Sequence, residues 1–65
     1  MKTNEELIYK VAEYLKNNIN SFEDELITLS QIEGVDIEEI KQRESIQIAK
    51  ALFEEGIVDF RMFEN

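Results

Sequence analysis

The sequence contains no cysteine, no histidine, no proline and no tryptophan, and only two glycines. Without cysteine there is no disulfide staple and no thiol nucleophile. Without histidine there is no imidazole for a Ser-His triad, for proton transfer near neutral pH, or for haem ligation. The two together also remove the usual zinc ligands. No apolar run exceeds three residues (Leu7-Ile8-Tyr9 and Ala51-Leu52-Phe53), so nothing in the pattern suits a membrane span. The first residues, Met1-Lys2-Thr3-Asn4-Glu5-Glu6, hold no apolar stretch of the kind a secretory signal needs, which points to the cytoplasm.

What is present is acid. Fifteen Asp and Glu face seven Lys and Arg, for a formal charge of -8 on 65 residues. At 43% apolar the chain is too hydrophobic for a disordered acidic tail. Its length allows one small domain, residues 1–65, with little core to spare. Nine isoleucines and five asparagines against three alanines suggest an A/T-rich genome, bacterial or phage.

The apolar spacing predicts three helices. The first runs from Asn4 to Asn18, with Leu7, Ile8, Val11, Tyr14, Leu15 and Ile19 on one side. Thr3 and Glu6 fit a capping box, and the asparagines at 17, 18 and 20 suit a left-handed stop. The second covers Phe22 to Ile32, with Ser21 and Asp24 as its cap pattern, a stripe of Phe22, Leu26, Leu29 and Ile32, and Gly34 beyond it. Leu26 to Ile32 also suits a short strand, because Ile and Thr are stiff at χ1. The third runs from Ile37 to Glu55 between Asp36 and Gly56, with a break near Glu44-Ser45 as the alternative. Its second half is apolar over much of its circumference. Beyond Gly56, Val58, Phe60 and Met62 alternate with Asp59 and Arg61, a strand-like pattern. The expected core is Leu7, Ile8, Val11, Leu15, Leu26, Leu29, Ile40, Ile48 and Leu52. The fold expected is mainly α: a small three-helix domain with a short strand-like tail, or alternatively a small α+β winged-helix-like domain.

The acids are unevenly placed. From Asn17 to Ile40, seven acids and no base occur; the remainder of the chain is nearly balanced. Glu23, Asp24 and Glu25 begin the second helix, and Asp36, Glu38 and Glu39 begin the third. Acids there stabilise helix N-termini by roughly 0.3–1 kcal/mol each. That accounts for the acids but not for the missing bases. An anionic surface that docks on a basic protein, imitating nucleic-acid phosphates, accounts for both. Neither acid run matches a calcium loop, so no metal is expected. No catalytic pair with a cleft is apparent, and no enzyme activity or cofactor is expected.

Tyr9 stands on the polar side of the first helix and joins the acids as a candidate contact. Ile46 and Phe53, on the extra apolar flank of the third helix, with Ile57, Phe60, Met62 and Phe63 in the tail, are candidate dimerisation residues. The junction Ala51-Leu52-Phe53-Glu54-Glu55-Gly56-Ile57-Val58-Asp59-Phe60-Arg61 resembles the step from recognition helix to wing in winged-helix regulators. The resemblance covers about 11 residues and implies a dimeric helix-turn-helix-like regulator contacting DNA through Lys41, Arg43 and Lys50. The charge of that helix departs from the pattern, because phosphate neutralisation drives DNA affinity. The favoured expectation is a non-enzymatic acidic protein that inhibits or regulates a basic, nucleic-acid-binding protein, with no direct nucleic-acid or membrane contact. A homodimeric regulator and a structural subunit docking by its apolar tail are the alternatives.

Overall fold

A computed structural model describes residues 4–59. Four α-helices follow in order: α1 (Asn4–Asn18), α2 (Glu23–Glu33), α3 (Ile37–Gln42) and α4 (Ser45–Glu54), with a 3-10 turn over Ile19–Phe22 joining α1 to α2. The architecture is mainly α. The Thr3 cap, and the tail residues Phe60, Met62 and Phe63, lie outside the described residues.

The first helix has the expected bounds, but it ends differently. No residue other than glycine has a positive φ among those described. Instead the side-chain amides of Asn17 and Asn18 donate back to the carbonyls of Glu13 (3.2 Å) and Tyr14 (3.1 Å). These i to i−4 back-bonds add a second donor to carbonyls already within the helix ladder, an interaction that competes with continued helix and suits its last turn. The chain then tightens into the 3-10 turn.

Ser21 lies inside that turn, so it does not cap α2. Phe22 holds the N-cap position, and no side chain bonds the free amides there. Burial explains the shift. Phe22 is 6% exposed and meets Tyr14 edge to face at 5.6 Å, so its ring fixes where α2 begins. Leu26–Ile32 is helical throughout, which removes the strand alternative. Ile32, expected on the buried stripe, is 51% exposed. The buried positions of α2 are Leu26, Leu29 and Ser30, a narrow arc that leaves Ile32 outside it. The Ser30 hydroxyl donates to the Ile27 carbonyl at 2.8 Å, which satisfies its burial.

Gly34 ends α2 in the left-handed region (φ 73°), where the amides of Gly34 and Val35 both return to the Ser30 carbonyl. Gly56 does the same for α4 (φ 73°). There Gly56 N–H bonds the Phe53 carbonyl, while Ile57 and Val58 N–H both reach the Leu52 carbonyl. Those two amides serve a helix end and not a ladder. No strand occurs among the described residues; the expected wing strand has none of its pattern paired through Asp59, and Phe60 onward lies outside the described residues.

The long third helix divides, as its alternative anticipated, at Arg43 and Glu44. Both are extended (ψ 154° and 139°), without glycine or proline. The break lets two completely buried isoleucines face different neighbours. Ile40 sits on α3, which packs on α2; Ile48 sits on α4, which packs chiefly on α1. Of the expected core, all but the half-buried Ile8 are buried, and Ala12, Phe22, Ala49 and Val58 join them.

Candidate functional site

The acids sit where their helices start. Glu23, Asp24 and Glu25 occupy the first turn of α2; Glu38 and Glu39 occupy that of α3. Asp36 is the N-cap of α3, with extended backbone, but its carboxylate makes no cap hydrogen bond. All six are exposed except the half-buried Glu25. Since α2 advances about 1.5 Å per residue, its two ends lie roughly 15 Å apart. The acidic turns therefore form two poles, one toward each end of α2, and not a continuous stripe.

A cation reaches each end of α2. Lys41 Nζ is 3.9 Å from Glu23 Oε1. Arg43 makes a forked contact with Glu33: Nη1 donates to Oε2 at 3.0 Å, and Nη2 lies 2.9 Å from Oε1. This fork holds the Arg43 guanidinium above its already high ordinary pKa. The Glu33 hydrogen bond is the main cause, with partial desolvation opposing it and the charges of Glu33 and Glu39 adding to it. Of the three cations that a DNA-binding reading would use, Lys41 and Arg43 are thus turned toward carboxylates. Sequence reasoning did not pair Glu33 with Arg43. Their ten-residue separation fits no helical period, so only the reversal at Gly34 brings them together.

Tyr9 is 61% exposed on α1, as its position on the polar side predicts. It borders an open groove of about 810 Å³ between α1 and the α3–α4 corner. Ala12, Ile19, Ile46 and Ile48 form its apolar floor, and Lys16, Lys41 and Arg43 stand at its edge with Glu13 and Glu44. Nothing in the sequence marked this groove, because its two walls come from segments some thirty residues apart. Of the candidate dimerisation residues, Ile46, Phe53 and Ile57 are half-buried and pack against the core; the others lie outside the described residues.

Among the described residues, no three acidic side chains gather as a metal site requires, and no helix is long and apolar enough to cross a membrane. No family model matches the chain, nor does any curated protein or solved structure.

Proposed function

We propose that this chain is a non-enzymatic acidic binding protein of the cytoplasm, of bacterial or phage type. In this reading it inhibits or regulates a macromolecule that carries a basic surface, most naturally a nucleic-acid-binding protein. Glu23, Asp24, Glu25, Asp36, Glu38 and Glu39 are the contacts, and Tyr9, exposed on α1, is a further one. The supporting observation is that five of these six carboxylates have no ion-pair partner among the described residues, and Glu23 has only the long contact to Lys41. Unpaired, solvated carboxylates steer a basic partner and can exchange water for its Lys and Arg groups.

The test is capture from a nuclease-treated, low-GC bacterial lysate, eluted in salt steps. The expected outcome is a basic protein released as salt rises, because exposed charge pairs are screened. The variant Asp24→Lys, Glu25→Lys, Glu38→Lys, Glu39→Lys should keep its helical circular dichroism and lose the partner. Retention of the partner by that variant overturns the proposal. A parallel Asn/Gln version removes the charge with less disturbance to the helix starts.

A further inference from the structure

Nine isoleucines supply much of the apolar surface of this chain. All but two are buried or half-buried. The exceptions, Ile27 and Ile32, are 38% and 51% exposed, and both belong to α2. At about 100° per residue they stand at the two edges of an arc of roughly 140°, on the side opposite the buried Leu26, Leu29 and Ser30. Thr28 and Gln31, both exposed, lie within that arc. The Thr28 hydroxyl is committed to its own helix, donating to the Asp24 carbonyl at 3.0 Å. Side chains four apart adjoin on a helix, so Ile27–Gln31 and Thr28–Ile32 form two parallel ridges with a groove between them. β-branched residues lose χ1 freedom in a helix, and these gain little burial in return. Neither helix propensity nor core packing accounts for three of them on one outward face.

The charge around this face has one sign. Asp24 lies within the arc, while Glu23 borders it beyond Ile27 and Glu25 borders it beyond Ile32. From Glu23 to Arg43 seven acids face two bases, and both bases are engaged by Glu23 and Glu33. Asp24 and Glu25 have no ion-pair partner among the described residues. We infer that the outward face of α2 docks a basic amphipathic helix of the partner protein. The apolar ridge of that helix lies between Ile27 and Ile32, and its Lys and Arg side chains meet Asp24 and Glu25. The inference rests on the acidic-contact reading above and narrows it. Carboxylates alone suit any cationic surface, whereas the two isoleucines select one that carries apolar groups among its cations. A second copy of this chain is a poorer occupant, because two such faces bring like charges together.

The probe is a synthetic peptide of about four helical turns, with Leu at i, i+3, i+4 and i+7 spacing and Lys beside them. A second peptide of the same charge carries Gln in place of Leu. Each is titrated into the full-length, isotope-labelled protein and followed by amide chemical shifts. The expected result is saturable shifts centred on residues 24–32 with the Leu peptide. The Gln peptide should bind more weakly by about tenfold or more, the scale of one buried aliphatic contact. The double variant Ile27→Gln, Ile32→Gln keeps every carboxylate and suits a helix better than isoleucine does. It should weaken the Leu peptide about tenfold and leave the Gln peptide unchanged. Equal binding of the two peptides, shifts centred on α1 or α4, or a double variant without effect each overturns the inference and leaves the acidic contacts standing. So does a concentration-dependent shift of α2 without peptide, which would make a second copy the occupant. Failure of both peptides to bind at low salt overturns the inference together with the acidic-contact reading beneath it.

Discussion

The α1–α4 pair is held by apolar packing, whereas the α2–α3 pair adds two ion pairs to a thinner apolar seam. Within ten residues α4 buries Ile48, Ala49 and Leu52 against Val11, Ala12 and Leu15 of α1. In the other pair, Leu26 and Leu29 meet a six-residue α3 whose single fully buried side chain is Ile40, and Lys41 and Arg43 reach toward Glu23 and Glu33. Magnitudes rank the two. A buried aliphatic side chain contributes about 1.5–3 kcal/mol; an exposed ion pair contributes about 0–1 kcal/mol. The half of the molecule that carries the acids is thus the half that contributes less to holding the fold. Its surface can carry excess charge because the core rests on Leu26, Leu29 and Ile40 and not on the ion pairs.

The largest expected effect is on the apolar pair. Leu52→Ala should cost about 2–5 kcal/mol, against a total of roughly 3–10 kcal/mol for a domain of this size. Urea unfolding should show a marginal or unfolded protein. A loss below about 1 kcal/mol would mean that the α1–α4 seam does not dominate.

Glycine comes next and sharpens the comparison. Gly34 closes α2 and Gly56 closes α4, both at φ 73°, and a Cβ at either would meet nothing within 4 Å. Alanine at each should therefore cost a similar amount, about 1 kcal/mol, through backbone conformation alone. Equal losses would place the difference between the halves in packing. Unequal losses would place it in the helix ends.

The smallest effect is Glu33→Gln, expected to cost less than about 1 kcal/mol. The raised pKa of Arg43 fixes its pH behaviour. A group whose pKa is raised by folding contributes fully below its unfolded value and loses that contribution only as pH rises through the folded one. For a guanidinium that range lies beyond ordinary alkali, so the wild-type-to-Glu33→Gln difference should stay flat between about pH 6 and pH 9. A loss rivalling that of Leu52→Ala would make the polar half the structural one.

Much of this was legible in the chain. Leucine and isoleucine spacing marks α1 to the residue, and nearly all the core. The two glycines mark both left-handed helix ends, because only glycine takes that φ without strain. The corner at Arg43-Glu44 carries no glycine or proline, so local propensity offers only a weak sign of it; the separate burial of Ile40 and Ile48 imposes it. Phe22 replaces Ser21 at the start of α2 because burying a ring outweighs a cap hydrogen bond. Val58 opens the strand-like alternation, yet its amide and that of Ile57 finish α4. For the site, the acids and Tyr9 are visible in the sequence. The Arg43–Glu33 fork and the groove are not, since both arise where distant segments meet.

The α1–α4 seam also has a consequence for biosynthesis. Val11 and Leu15 leave the ribosome well before Ile48 and Leu52, the residues that cover them. At about 5–20 residues per second, the nascent first helix stays uncovered for a few seconds, with its apolar side open to chaperones or to neighbouring chains.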